Sequence, residues 1–376
     1  MIGSLPPMKG ISQYCLSLCN ALSDVADVEF ISFRKLYPEF LYPGGKDKDE
    51  SIYDLESKCR RKNLLHGYNP LTWIKVGLGS TGDVIHMQWW SYVLFPAYFT
   101  ILTLLKTKQK RILITVHNVT PHENATVGRL TTGILLNFAD VIVVHSEANR
   151  RTLLEKYRIA QRKRVLVIPH GVLSAPKTSL TPKEARSVLG IDVDRKVVLF
   201  FGNIRPYKGL KTLLIAMKDV LVNVPGAILV IAGQPWKDWK EYEKLIRDLG
   251  LSSNVILKTG FVDMKDVPVL FLSADLVVLP YSGFDAQSGV GLLAINYGRP
   301  LIVTRVGGLD ELVENPISIV EPMAPGMLAD NIATILANQD LLTRLSESSR
   351  RLARKFRWSN IADMSVTAYR SLMEAE

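Results

Sequence analysis

Arg205 and Lys208 are the residues in this chain whose type and spacing best fit chemistry. They sit in Gly202-Asn203-Ile204-Arg205-Pro206-Tyr207-Lys208-Gly209. An apolar run, Val197–Phe201, precedes them, and Leu210, Leu213, Leu214 and Met217 follow at helical spacing. That is a strand, a basic loop and a helix. Open α/β sheets bind ligands at the C-terminal ends of their strands. Two cations there, beside a helix N-terminus, suit a phosphate or diphosphate. A solvated basic turn reads the same way in sequence.

Three other loops carry candidates. In Pro280 to Gly291, glycines 283, 289 and 291 precede a helix running to about Asn296, with Ser288 as its N-cap. The free N–H groups of that terminus make a second phosphate seat. Asp285 is the only carboxylate of the loop and also suits a plain turn. Near the start, Gly10 ends Pro6-Pro7-Met8-Lys9-Gly10 and lets backbone N–H groups approach an anion, or simply makes a turn. His117 and His122 follow a strand end and can donate to a substrate oxygen or move protons. His145 and His170 end the next two strands and read as structural.

These loops need strands to position them. Strands are expected at Val28–Phe33, Val84–Gln88, Ile112–His117, Val141–Ser146 and Val165–Pro169, with helices between and an irregular stretch over 34–70. The pattern restarts at Val197–Phe201, Ala227–Ala232, Val255–Lys258, Leu276–Pro280 and Leu301–Thr304. Residues 325–356 read as helical, and a last amphipathic helix runs from the break at Phe356-Arg357-Trp358 to about Met373. The alternation predicts an α/β chain of two doubly wound domains, 1–176 and 177–358, with ligands in a cleft between them.

Composition narrows the partners. The 376 residues are 47% apolar and 22% charged, an ordinary globular balance. Three cysteines are too few for a disulfide framework, which favours buried thiols and a reducing, cytoplasmic compartment. The net charge of +10 falls mostly in residues 1–176, with 22 Lys/Arg against 14 Asp/Glu. An anionic partner is implied. No nucleic-acid motif supports DNA or RNA. An anionic membrane surface fits better, met by clusters at Arg60-Arg61-Lys62, at Lys106, Lys108, Lys110 and Arg111, and at Arg162-Lys163-Arg164. Val84 to Leu105 has no Asp, Glu, Lys or Arg and is long enough to span a bilayer, but a strand followed by a Pro96-containing helix is not one spanning helix. The chain reads as soluble and without a signal peptide, since Pro6, Pro7 and Lys9 interrupt its start.

Together the motifs Leu5 to Tyr14, Gln88-Trp89-Trp90, His117 to Glu123, Phe200 to Gly209, Gln287-Ser288-Gly289-Val290 and Val306 to Glu311 resemble the retaining glycosyltransferases of family 4, with the GT-B fold. The resemblance covers nearly the whole chain. It implies a nucleotide-sugar donor bound mainly by the C-terminal domain, an acceptor (a glycan or a lipid-linked group) bound mainly by the N-terminal domain, and a last helix, 359–376, that packs back on the N-terminal domain. Lys208 matches the lysine holding the donor diphosphate. Asn203 stands where its partner arginine is usual, and Arg205 substitutes. His117 matches the histidine that contacts the transferred sugar, and Phe261 and Val262 stand where the base is held. Gly10, Gln287, Ser288, Gly289 and Val290 match donor contacts; His86, Gln88 and His122 fall on the acceptor side. Asp285 takes the first place of the family's E-x7-E pair, but the second falls on Leu293. The first strand is reduced to Met1-Ile2, so either the sheet is shortened or the sequence begins at an internal residue.

The resemblance implies a retaining transfer in which Arg205, Lys208 and the helix terminus at Gly289 stabilise the departing diphosphate, with no metal or other cofactor; no Asp-x-Asp is present. A non-catalytic sugar-nucleotide binder, or a protein using a polyprenyl-phosphate sugar, is the alternative, because Leu293 cannot bind a hydroxyl. A nicotinamide enzyme would show G-x-G-x-x-G after the first strand, and none is there.

Overall fold

The computed structural model describes residues 1–8, 10–36, 57–120, 125–173, 176, 178–236, 238–283 and 288–374. The chain divides into two compact units, residues 1–171 with 356–376, and residues 172–355.

The first unit is a seven-stranded sheet: Ile2–Gly3 (β1), Glu29–Lys35 (β2), Arg60–His66 (β3), Val84–Trp89 (β4), Arg111–Val116 (β5), Val141–Val144 (β6) and Arg164–Val167 (β7), in the order β3-β2-β1-β4-β5-β6-β7. Every pairing is parallel. The connecting helices are Ser12–Leu22 (α1), Pro70–Gly79 (α2), Phe95–Thr107 (α3), Ala125–Phe138 (α4) and Glu147–Lys156 (α5). Side chains of a strand alternate between the two faces. Ile85, Met87 and Trp89 of β4 thus enter the core beneath α2 to α5, while His86 and Gln88 turn to the other face.

The second unit is a six-stranded parallel sheet: Val197–Phe201 (β8), Ile228–Gly233 (β9), Val255–Thr259 (β10), Leu276–Leu279 (β11), Leu301–Thr304 (β12) and Ile319–Val320 (β13), ordered β10-β9-β8-β11-β12-β13. Its helices are Pro182–Val188 (α6), Leu210–Asn223 (α7), Lys240–Asp248 (α8), Val267–Ser273 (α9), Gly289–Asn296 (α10), Pro325–Ala337 (α11) and Gln339–Lys355 (α12). Strand order reverses between β8 and β11, which puts a crevice at their C-terminal ends.

The chain then returns to the first unit as Trp358–Met373 (α13), which packs on α1 and on β4 and β5. At its start the Trp358 ring lies 5.3 Å from that of Tyr14 and 5.5 Å from that of His170. Gly171 lies flat against it, and a Cβ there would come within 2.4 Å of the indole.

Several expectations need correction. Residues 34–70 are not all irregular, because Arg60–His66 forms the edge strand β3. Its sequence, RRKNLLH, has no apolar alternation, since one of its edges and much of its surface face solvent. The first strand exists, two residues long, with Ile2 paired to both Ile31 and Met87. Cys19 and Cys59 are not thiols: they form a disulfide, with Cα atoms 6.1 Å apart, tying α1 to the entrance of β3. The parallel pairing of β2 with β3 brings residue 59 beside α1, which a spacing of 40 residues could not reveal. Cys15 remains a buried thiol, pushed up to about 12 by burial. Among the described residues no helix is long and apolar enough to cross a membrane.

Gly171→Ala tests the seat of α13. A methyl forced against the indole should destabilise the protein by about 1–3 kcal/mol, in the range of core overpacking. Urea denaturation monitored by tryptophan fluorescence reads the shift, and an unchanged midpoint would mean Trp358 does not pack there.

Candidate active site

The basic loop is shaped by two glycines. Gly202, after β8, has φ +100°, and Gly209, which ends the 3-10 turn Pro206–Lys208, has φ +72°. Both values lie in the left-handed region that side chains disfavour. A Cβ on Gly209 would sit 1.8 Å from the Pro280 carbonyl oxygen, so only glycine lets the loops after β8 and β11 touch. A Cβ on Gly202 would lie 3.2 Å from Lys208 Nζ and 3.1 Å from Val290 Cγ2. The Lys208 ammonium and the first turn of α10 therefore meet over Gly202.

α10 begins as its sequence requires. The Ser288 hydroxyl oxygen accepts from the Gly291 N–H at 3.3 Å, and its Oγ lies 3.2 Å from the Tyr281 hydroxyl. Gly289 and Val290 contribute first-turn N–H groups that the helix itself cannot pair. The Tyr281 ring lies 5.0 Å from Lys208 Nζ. Burial, and then the neighbouring Arg205 charge, push the Lys208 pKa down to about 8.

These groups line a cavity of about 520 Å³, a common size for a small-molecule site. Arg205, Lys208, Ser288, Gly289 and Val290 lie on its wall with Asn203, Gln234, Phe261 and Val262. Its described lining has two cations and no carboxylate, an arrangement that suits a polyanion. Phe261 stands at the rim, 75% exposed, after Gly260 with φ +127°. The Arg205 guanidinium stacks on the Trp236 ring, 4.0 Å from its centroid. The sequence reading missed Trp236. The strand-like bridge of Ile204 to Pro235, which brings the two loops together, is not visible in either segment alone.

Leu293 also lines the cavity, one turn after Gly289 and 7% exposed. No neighbour on α10 replaces a carboxylate there. Gly291 faces Leu312 and Leu279, and Asn296 donates from Nδ2 to the Leu173 carbonyl at 2.9 Å. Asp285, Gln287 and His122 lie outside the described residues. Gly10, in the first unit, has φ +89° and lies beside the Trp90 indole.

His86, Gln88 and His117 take a different place from the one expected. All three are buried and belong to one hydrogen-bonded chain on the polar face of the first sheet. His145 Nδ1 is 3.0 Å from the Ile168 carbonyl, and its Nε2 is 3.1 Å from His117 Nδ1. His117 Nε2 lies 2.9 Å from Gln88 Oε1, and Gln88 Nε2 lies 2.9 Å from His86 Nε2, which is also 2.7 Å from Thr115 Oγ1. His86 Nδ1 meets the Tyr369 hydroxyl of α13 at 2.6 Å.

A carbonyl can only accept, so His145 donates from Nδ1 to Ile168. The Gln88 amide nitrogen donates to His86 Nε2, so His86 donates from Nδ1 to the Tyr369 hydroxyl, and the Gln88 oxygen accepts from His117 Nε2–H. Burial first, and then the neighbouring imidazoles and, for His86, the N-terminal amine, hold His86 and His145 down to about 3 and His117 well below the usual imidazole range. His86 and Gln88 are therefore interior links rather than acceptor contacts. His117 has both ring nitrogens committed to protein partners and carries no proton-shuttling charge at neutral pH. Their strands alternate, and α1 and α13 cover the face to which these residues point.

The family description "Glycosyltransferase Family 4" matches residues 8–173, and "Glycosyl transferases group 1" matches residues 182–352. A similar relative is the D-inositol 3-phosphate glycosyltransferase of Corynebacterium urealyticum, 26% identical over 250 residues, 63% of this chain and 58% of that protein. The chain spans about half to two thirds of the length of the curated relatives it matches first. Sucrose-phosphate synthase from Thermosynechococcus elongatus has a similar structure, with TM-score 0.72 and 21% identity over 100% of this chain and 99% of that one. Anabaena HepE, solved with UDP and glucose, gives TM-score 0.71 and 18% identity over 98% and 99%. These likenesses share the GT-B fold of two Rossmann-like domains. With both halves matched in order, the chain belongs to the group 1 glycosyltransferases of family 4.

Proposed function

We propose that this glycosyltransferase moves a sugar from a nucleoside diphosphate sugar to an acceptor hydroxyl, with retention at the anomeric carbon. One observation carries the reading: Arg205, Lys208 and the N-terminus of α10 converge on a cavity of about 520 Å³ whose described lining has no carboxylate. The diphosphate lies over Gly202, between the Lys208 ammonium and the Gly289 and Val290 N–H groups, with Arg205 held at its side by Trp236. The base rests at Phe261 and Val262.

As the bond from the anomeric carbon to the phosphate oxygen breaks, negative charge grows on the departing oxygen. Fixed cations and N–H dipoles stabilise that charge without reorganising. The acceptor hydroxyl attacks from the same face, its oxygen bonds to the anomeric carbon, and its proton passes to the leaving phosphate. In this reading no metal or other cofactor takes part, because two cations and a helix end do the work a divalent ion would do. The acceptor, a glycan or a lipid-linked group, is met by the first unit. The D-inositol 3-phosphate in a relative's name and the UDP and glucose in a neighbour's complex are compatible with this reading.

Leu293 favours a second, finer statement. With leucine at the pocket wall and no carboxylate in the described lining, the ribose is bound loosely.

Three outcomes test this. Lys208→Ala and Arg205→Ala should each lower kcat/KM by about 10²–10³-fold, the usual loss for one transition-state donor, with the thermal midpoint little changed. Two variants with near-normal turnover would refute the reading, and UDP that raises the melting temperature without any turnover would leave a binder. The second outcome follows from Lys208. The free protein loses this proton near pH 8, and a bound diphosphate restores it. UDP affinity should therefore hold below pH 8 and fall by about tenfold per pH unit above it, with proton uptake measurable by calorimetry in buffers of different ionisation enthalpy. A flat profile through pH 9 would remove Lys208 from the diphosphate. Third, a 2′-deoxyribose version of the best donor should be used almost as well as the parent. A hundredfold loss, about 2.7 kcal/mol, would mean that an unassigned residue grips the ribose.

A further inference from the structure

Three adjacent helices of the first unit share a surface that an ordinary solvated face does not explain. α2 turns Leu71, Ile74, Lys75 and Leu78 outward at the spacing of one helix face, with Leu71 75% and Leu78 55% exposed. α3 packs between α2 and α4; it exposes Phe99, and α4 exposes Val127 and Leu130. Single exposed apolar residues are common, whereas a band across three neighbouring helices marks an interaction surface.

The polar side chains of this band turn inward. Thr100, Thr103 and Thr107 lie along α3, and each hydroxyl donates to a carbonyl of its own helix: Pro96 at 2.9 Å, Phe99 at 2.8 Å and Leu104 at 2.7 Å. Back-bonded in this way, threonine presents its methyl group outward. The outer side of α3 is therefore far more apolar than its composition suggests.

The charges are of one sign. α2, α3 and α4 contain Lys75, Lys106 and Arg129 and no Asp or Glu. From Ser57 to Ala139 the sequence has ten Lys/Arg against two carboxylates, Asp83 and Glu123. Exposed apolar residues beside Lys75 and Arg129 complement a surface that is apolar below and anionic at its rim, which is a bilayer of anionic lipid.

Many of the basic residues singled out from sequence have local partners instead. Arg60 pairs with Asp27 at 2.7 Å, Lys62 with Glu29 at 2.7 Å and Lys106 with Asp140 at 2.7 Å. Lys108 and Lys110 donate to the carbonyls of Leu78, Ser80, Thr81 and Gly82 at the end of α2.

We infer that the outer face of α2, α3 and α4 seats the first unit on an anionic bilayer. Leu71, Ile74, Leu78, Phe99 and Leu130 enter the boundary between headgroups and acyl chains, and Lys75 and Arg129 meet lipid phosphates. This is interfacial seating, and it stands whether or not the proposed donor is the right one.

Flotation of the full chain with phosphatidylcholine vesicles, with and without phosphatidylglycerol, tests it. The protein should float with the anionic vesicles and much less with the neutral ones, and salt should weaken binding without abolishing it. The triple variant Leu71→Ser, Ile74→Ser, Leu78→Ser should bind anionic vesicles about tenfold or more weakly at every salt concentration. Lys75→Glu with Arg129→Glu should lose the preference for anionic lipid. These positions are exposed, so circular dichroism and the thermal midpoint should match the parent, which separates lost binding from lost fold. No flotation at low salt, or a triple variant that floats like the parent, would overturn the inference. So would a parent that sediments as a dimer without binding vesicles while the triple variant is monomeric, since a second copy would then cover the face.

Discussion

The cavity at the C-terminal ends of β8 and β11 depends on one close approach. The chain after β8 passes so near the Pro280 carbonyl that a Cβ at Gly209 would lie 1.8 Å from it. That contact brings the basic loop against the loop leaving β11, and with it Lys208 against Tyr281 and the start of α10. The approach has an electrostatic cost. Lys208 is largely removed from water beside another cation, and its pKa falls to about 8. A site that holds two like charges together without a described counter-carboxylate is strained until an anion arrives. The same feature that lowers the lysine pKa therefore favours an anionic occupant.

The first unit follows a different logic. Its sheet has one apolar face under α2 to α5 and one face whose strand ends carry Gln88, His86, Thr115, His117 and His145. Buried polar groups are tolerable only when all are paired. Here the pairing is a connected network that runs from the Ile168 carbonyl through His145, His117, Gln88 and His86 to Thr115 and the Tyr369 hydroxyl. α13 thus supplies more than apolar cover, because it completes the hydrogen bonding of a layer that β4, β5 and β6 leave open. The histidines at these strand ends serve interior satisfaction, and burial holds their pKa values well below the usual imidazole range.

The outer surface of the same unit shows the opposite treatment of polar groups. Threonines on α3 bond to their own helix, and carboxylates are missing from three helices in succession. One sheet thus separates a polar interior layer from an apolar exterior band. Both arrangements depend on which side of a strand or helix each residue occupies.

Local pattern was enough for much of this. The run Val197–Phe201 followed by Gly202, Pro206 and Gly209 specifies strand, turn and helix within a few residues, and Ser288 before Gly289 specifies a helix start. The period of the apolar residues and the positions of glycine and proline are short-range signals, so two parallel α/β units and a basic loop at a strand end were legible from the sequence. What only the tertiary structure decided depends on partners far apart in the chain. The edge strand Arg60–His66 takes its form from β2, the Cys19–Cys59 bond from the strand pairing that brings them together, and the stacking of Trp236 on Arg205 from a bridge between two loops. His86, Gln88 and His117 looked like ligands because strand ends are where ligands bind. Their side chains instead point to the face that α1 and α13 cover, and a side chain's face is set by register and packing, which no stretch of sequence contains by itself.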